Sequence, residues 1–165
     1  MAKKSKKKIV AASGAFDPLH IGHVRYLQEA KKLGDHLVVI LNNDHWLRMK
    51  KGKEFMSVLE RKEIIEAMGC VDEVIISGHC RNTKDRSVCR EIIKIRPHIF
   101  AKGGDRFADD IPEFQLCRKL GIEMVFDVGR GGKVQSSSDL LKNYQKHLSK
   151  KNLKLSGEYH KYAEK

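Results

Sequence analysis

Gly14-Ala15-Phe16-Asp17-Pro18-Leu19-His20-Ile21-Gly22-His23 decides the reading of this chain. It follows the apolar run Ile9-Val10-Ala11-Ala12 and leads into helical spacing. A strand therefore ends in a glycine turn, and two histidines three residues apart open a helix. A helix start presents backbone N–H groups without intrahelical partners and the positive end of a dipole, a natural seat for phosphate. Imidazoles added there donate hydrogen bonds to phosphate oxygens as charge builds on them. The stretch points to chemistry on a nucleoside triphosphate.

Outward from this turn, strand and helix patterns alternate. Ile9–Ser13 reads as a buried strand. Val24, Leu27 and Ala30 follow helical spacing up to a stop at Gly34. His36–Leu41 is a second buried strand. Ser57, with Glu60 three residues on, predicts a capping box for a helix reaching Met68 and ending at Gly69. Val71–Ser77 is a third strand, and Asp85–Ile95 a helix stopped by Arg96-Pro97. His98–Ala101 is a fourth strand, Ile111–Leu120 a helix ended by Gly121, Ile122–Phe126 a fifth strand, and Ser138–Leu148 a last helix. Near-continuous apolar strands in alternation with helices predict an α/β fold: a doubly wound, parallel, five-stranded sheet with helices on both faces. Asn42–Met56 and Gly103–Asp110 read as irregular. Both follow strands, so both are expected to line the crevice beyond the carboxyl ends.

The 165 residues, 41% hydrophobic, suit one domain with a proper core. No apolar stretch approaches the roughly 18 to 20 residues that cross a bilayer. The basic N-terminus runs straight into the glycine turn without the apolar segment of a signal peptide. The expectation is a soluble, cytoplasmic protein without a membrane partner. The net charge of +12 lies mostly at the two ends: residues 3–8 hold five lysines and no acid, and residues 142–165 hold seven lysines against Glu158 and Glu164. The chain divides into a basic, disordered tail (1–7), a catalytic body (8–148) and a basic C-terminal tail (149–165). Such tails are solvated and make at most weak contacts to polyanions. Cys70, Cys80, Cys89 and Cys117 show no Cys-x-x-Cys spacing, and His79-Cys80 with Cys89 fits no common zinc pattern. They read as free thiols in a reducing compartment.

The stretch from Gly14 to His23 resembles the signature of the cytidylyltransferase-like nucleotidyltransferases, Gly-x-Phe-Asp-x-x-His-x-Gly-His, and agrees at every fixed position. A Rossmann dinucleotide site would need Gly-x-Gly-x-x-Gly, which is absent here. Class I aminoacyl-tRNA synthetases carry a related His-x-Gly-His but are much larger. The resemblance runs over roughly residues 8 to 148 and implies the Rossmann-like nucleotidyltransferase fold. It places Gly14, Ala15, Phe16, Asp17 and Gly22 at the nucleotide beside His20 and His23. Asn42-Asn43-Asp44 stands at the family's polar turn. Lys50, Lys51 and Lys53 fall in the loop that bears a phosphate-contacting lysine, and the sequence leaves open which one does so, although Lys53 is taken as the catalytic candidate. Glu60-Arg61-Lys62 resembles the motif whose arginine binds phosphate.

Two further segments carry the likeness. Lys102-Gly103-Gly104-Asp105 is similar to a segment of heptose-phosphate adenylyltransferases and, more loosely, to a loop of glycerol-phosphate cytidylyltransferases. It implies nucleotide contacts by Lys102, Gly104 and Asp105. Ser136-Ser137-Ser138-Asp139 resembles the family's second signature, with hydroxyls that cap the last helix or hold the β- and γ-phosphates. The preceding Arg130-Gly131-Gly132-Lys133-Val134-Gln135 departs from the family's Arg-Thr-x-Gly pattern and is one residue longer, which leaves the register of Arg130 and the choice of CTP or ATP open.

The activity so implied joins a nucleoside monophosphate from CTP or ATP to a phosphorylated sugar or alcohol and releases pyrophosphate. His20 and His23 would donate to the α- and β-phosphates, the loop lysines and Arg61 would neutralise acceptor and leaving group, and Ser136, Ser137 and Ser138 would steady the tail phosphates. The family implies Mg2+, oriented by Asp17 directly or through water, and a homodimer. Heptose, glycerol and amino-alcohol phosphates fit as acceptors. FMN and phosphopantetheine rank below them. Two other classes remain: a regulatory or nucleic-acid-associated protein using its lysine tails, and a nucleotide sensor without turnover.

Overall fold

The computed structural model describes residues 7–103, 111–129 and 136–149. The elements in chain order are β1 (Ile9–Gly14), α1 (Ile21–Lys31), β2 (His36–Leu41), α2 (Asp44–Lys51), α3 (Val58–Glu66), β3 (Glu73–Ile76), α4 (Cys89–Ile95), β4 (Ile99–Ala101), α5 (Pro112–Leu120), β5 (Glu123–Val125) and a last helix α6 (137–149). The five strands form one parallel sheet in the order β3-β2-β1-β4-β5. The fold class expected from the sequence is the one found.

β1, β2 and β4 divide their side chains between two cores, as a period of two dictates. Val10 and Ala12 of β1, Leu37, Val39 and Leu41 of β2, and Ile99 and Ala101 of β4 pack with Tyr26, Leu27 and Ala30 of α1 and Ile65 of α3. Ala11, Ile40 and Phe100 point the other way, against Ile92 of α4 and Cys117 of α5. The chain leaves β1 for β2 and β3 on one side and returns from β3 to β4 on the other. The carboxyl ends of β1 and β4 therefore flank the point where the order reverses, the place where open α/β sheets hold ligands.

Three boundaries differ from the sequence reading. Asn42–Met56, expected to be irregular, contains α2. Asn43 caps it by accepting the Trp46 N–H at 3.0 Å, and Gly52 follows its end. With eight residues and only Trp46 and Leu47 buried, α2 shows too little periodicity to be seen in the sequence. The helix expected from Asp85 begins at Cys89, because the Asp85 carboxylate accepts both the N–H and the O–H of Ser87 and keeps that turn out of the helix. β3 runs Glu73–Ile76 rather than Val71–Ser77, and β5 is likewise shorter. The capping box of α3 is present as read: Ser57 N–H donates to Glu60 at 2.8 Å, and Glu60 N–H to Ser57 Oγ at 3.3 Å.

One side chain corrects the sequence reading outright. Arg61, assigned to phosphate, is fully buried, at 0% exposure. Its Nη1 donates to the carbonyls of Ala15 (2.7 Å) and Asn42 (2.8 Å), its Nε to that of Met56 (3.0 Å), and its Nη2 to the Asp44 carboxylate (2.6 Å). The guanidinium faces four chain segments inside the protein rather than a ligand. Arg61→Met leaves those acceptors and the Asp44 charge unpaired, so the expected loss is about 3–5 kcal/mol. Arg61→Lys is expected to lose a large part of the same, because an ammonium lacks the planar fork. Urea unfolding midpoints measure both.

Candidate active site

The glycine turn is built by close packing. Phe16 adopts a left-handed backbone (φ 51°), and its ring folds back over Gly14. A Cβ on Gly14 would lie 3.0 Å from that ring, which is why glycine ends the strand. The Phe16 ring, 2% exposed, then backs His23 edge-on at 5.0 Å and stacks on Tyr26 at 6.4 Å.

His20 and His23 are half-buried and stack on each other, ring centroids 3.7 Å apart. Both also cap α1. His20 Nδ1 accepts the Gly22 N–H at 3.1 Å, and His23 Nδ1 accepts the His20 N–H at 3.3 Å. The His23 and Val24 amides turn back to the His20 carbonyl. Of the amides that the sequence offered to phosphate, those of His20, Gly22, His23 and Val24 thus have partners in the chain. With each Nδ1 accepting, a neutral ring carries its proton on Nε2. The Nε2–H groups of the two rings are the donors that this arrangement leaves. Burial lowers the pKa of His23 to about 3, with His20 and Lys51 adding to the effect. Burial and then Lys51 lower that of His20. The pair is a set of neutral N–H donors.

Lys51 separates itself from its two neighbours. Its Nζ donates to the Asp17 carbonyl at 2.7 Å, and its charge reaches both imidazoles. Burial lowers its own pKa, partly offset by Asp17. Lys50 instead lies over the Trp46 ring, 4.7 Å from its centroid, and Lys53 is exposed beyond Gly52.

Asp17 corrects a second expectation. Its carboxylate is 1% exposed, and its two oxygens accept the Phe55 and Met56 N–H groups, each at 2.8 Å. It anchors the loop before α3 and does not face outward to orient a metal. Among the described residues no group of three or more His, Cys, Asp or Glu side chains could hold a metal ion.

The β4 side joins the same site. Lys102 Nζ donates to Ser13 Oγ at 3.3 Å, lies 4.0 Å from Glu113 and sits over the Phe100 ring. Tyr26, which the sequence reading passed over, donates its hydroxyl to the Ala101 carbonyl at 2.8 Å and accepts the Ser13 N–H at 3.3 Å. Burial pushes its phenol pKa up, so it stays a donor. Its position three residues after His23, on the inner face of α1, was the available signal. A Cβ on Gly103 would come within 2.9 Å of the Tyr26 ring, so this glycine serves packing. Ser137 Oγ donates to the Pro18 carbonyl at 2.9 Å, and Ser136 caps α6 by accepting the Asp139 N–H. The start of α6 therefore rests on the histidine loop. Gly104, Asp105 and Arg130 lie outside the described residues, as do residues 1–6 and 150–165 of the two tails.

The chain is similar to known proteins in sequence and in fold. The bifunctional protein HldE of Hydrogenovibrio crunogenus is 36% identical over 136 residues, which is 81% of this chain and 25% of that protein. The chain thus spans about a quarter of the HldE length. The FAD synthase of Thermococcus onnurineus is 44% identical over 125 residues, covering 74% of this chain and 79% of that one. The solved lipopolysaccharide core biosynthesis protein of Thermoplasma volcanium superposes with a TM-score of 0.62 at 29% identity, over 76% of this chain and 100% of that chain. A family model described as cytidylyltransferase-like matches residues 11–143, and with the histidine signature placed as the fold requires, the chain belongs to the cytidylyltransferase-like family of nucleotidyltransferases.

Proposed function

We propose that residues 8–148 transfer a nucleotidyl group from ATP or CTP to a phosphorylated small molecule. A phosphate oxygen of the acceptor attacks the α-phosphorus, the bond to the bridging oxygen of the β-phosphate breaks, and pyrophosphate leaves. The observation that carries this reading is the pair of neutral imidazoles, each held by an amide at Nδ1, beside Lys51. No protein nucleophile is needed. The chain aligns two anions and meets the charge that builds between them.

In this reading His20 and His23 donate from Nε2 to the α- and β-phosphate oxygens. Lys51 supplies the fixed positive charge, and Lys50 and Lys53 add to the local field that draws anions in. Ser138 and the start of α6 meet the tail phosphates. Lys102, Gly104, Asp105 and Arg130 belong to the nucleotide side. Magnesium enters as part of the substrate, bound to the nucleotide's phosphates. The FAD synthase relative favours ATP, since FAD is an adenylyl group on FMN, and it raises FMN among the acceptors. A homodimer and a cytoplasmic location belong to the same proposal. The four free cysteines support the latter, and among the described residues no helix is long and apolar enough to cross a membrane.

The test is pyrophosphate release from ATP or CTP with magnesium and, in turn, heptose 1-phosphate, glycerol 3-phosphate, ethanolamine phosphate and FMN. Release with one pair is expected, and silence with all of them refutes the proposal. His23→Ala and His20→Ala are each expected to lower kcat by about 10²–10³. His20→Ala is also expected to lose about 1 kcal/mol of stability with its helix cap, so His20→Asn serves as the control that keeps a capping acceptor.

A pH experiment checks the charge state. A histidine with a lowered folded pKa binds its proton more readily when unfolded. Stability from this source is therefore present above the unfolded value near 6.5 and declines as pH falls from there towards 3. The His23 ring resonances in NMR are expected to stay those of the neutral Nε2–H tautomer at pH 5. A midpoint near 6.5 would remove the neutral donor from the mechanism.

A further inference from the structure

We propose that a polar cavity between β3 and α4 receives the hydroxyl-bearing tail of the acceptor, which makes a polyol phosphate the substrate class. This rests on the transferase reading above. The cavity measures about 110 Å³, and His79, Cys80, Thr83, Asp85, Arg90 and Glu91 contribute to its lining. No large aliphatic side chain lines it, and its one ring is the His79 imidazole.

Part of the wall is framework. Ser77 Oγ accepts the Asn43 N–H at 3.1 Å, so its own proton goes to His79 Nδ1 at 2.7 Å. His79 Nε2 then donates to the Ser87 carbonyl at 2.9 Å. This ring, 8% exposed, has both nitrogens satisfied and fixes the loop.

Glu91 is different. It is 5% exposed, and its Oε1 accepts the Gly78 N–H at 2.9 Å. Among the described residues Oε2 has no partner, and no cation pairs with the carboxylate. Among the described residues the one fully buried side-chain oxygen or nitrogen without a partner is Asn42 Oδ1, so Glu91 Oε2 keeps accessible surface at which a donor can reach it. Asp85 adds a second acceptor, since Ser87 occupies Oδ1 alone and holds this carboxyl below the usual range. The Thr83 hydroxyl and the Arg90 guanidinium are the donors on the wall. A wall rich in acceptors with a few donors suits a chain of hydroxyls, each giving one hydrogen bond and taking another.

The register supplies the reach. Gly14 pairs with Leu41, and Leu41 with Ile76, so the ends of β1 and β3 are level across two strand spacings. That separation is about 10 Å. Two residues cross the gap: Asn42 donates its N–H to the Gly14 carbonyl at 3.0 Å, and Asn43 bonds Ser77 through its N–H and the His79 carbonyl through Nδ2 at 2.8 Å. An acceptor whose phosphate meets the histidines would lay its tail along the carboxyl edge and end in the cavity. Sugar phosphates and the ribityl chain of FMN share this chemistry.

Cys80 is exposed and lines the cavity, so its reaction with iodoacetamide reports occupancy without turnover. The full chain is alkylated in the presence of heptose 1-phosphate, glycerol 3-phosphate, FMN or ethanolamine phosphate, and Cys80 is followed by peptide mass. A polyol phosphate at ten times its KM is expected to slow labelling by about tenfold, and ethanolamine phosphate to leave it unchanged. Protection by heptose phosphate alone assigns a sugar, and protection by FMN assigns the ribityl chain. Glu91→Gln keeps the Gly78 bond and the volume, so a role confined to the loop predicts no change. We expect it to remove the protection and raise the acceptor KM by about tenfold or more, with the nucleotide KM moving less than about twofold. Pyrophosphate release supported by an acceptor that leaves Cys80 unprotected, or an unchanged acceptor KM in Glu91→Gln, overturns the cavity's role while the transferase stands. Absence of release with every pair overturns the transferase reading and the acceptor site with it.

Discussion

A single buried guanidinium holds the carboxyl edge of the sheet together. Arg61 takes carbonyls from the β1 turn, from the end of β2 and from the loop before α3, and a carboxylate from α2. Backbone carbonyls gathered this closely would repel one another without a donor between them, and they lie too deep for water to serve. Asp17 works in the opposite sense. Its carboxylate collects the amides of Phe55 and Met56, one residue before the capping box that starts α3. A buried cation and a buried anion thus tie the same loop to the histidine turn from two directions.

That frame explains how a short helix can present imidazoles as neutral donors. The dipole of α1 reaches outward through the rings, because each Nδ1 accepts an amide and polarises the proton on Nε2. A charged ring would lose the lone pair that caps the helix. The Phe16 wall, the mutual stacking and Lys51 all oppose that charge. The positive charge at the site comes instead from Lys51, whose place is set by the Asp17 carbonyl.

The sheet was legible because its strands are apolar runs and its turns end in glycine, and both are local signals. The histidine turn was legible for the same reason: ten consecutive residues carry it. Arg61 and Asp17 were misread because burial is not local. Both lie in motifs rich in charge, and nothing in Glu60-Arg61-Lys62 says that the middle residue points inward while its neighbours face solvent. Lys53 was taken as the catalytic candidate among three neighbouring lysines, and only the turn of α2 shows that Lys51 is the one beside Asp17 and the imidazoles. Tyr26 and Glu91 looked like ordinary members of amphipathic helices, and only the fold reveals what their polar ends meet.

The Tyr26 hydroxyl has a mechanical consequence. By bonding Ser13 and Ala101 together, with Gly103 pressed against its ring, it welds the helix bearing the histidines to two adjacent strands. That half of the crevice has no slack with which to accommodate ligands of different size. The opposite flank is tied elsewhere: its loop hangs on Asn43 and His79, which join it to the end of β3 and to the turn before α4.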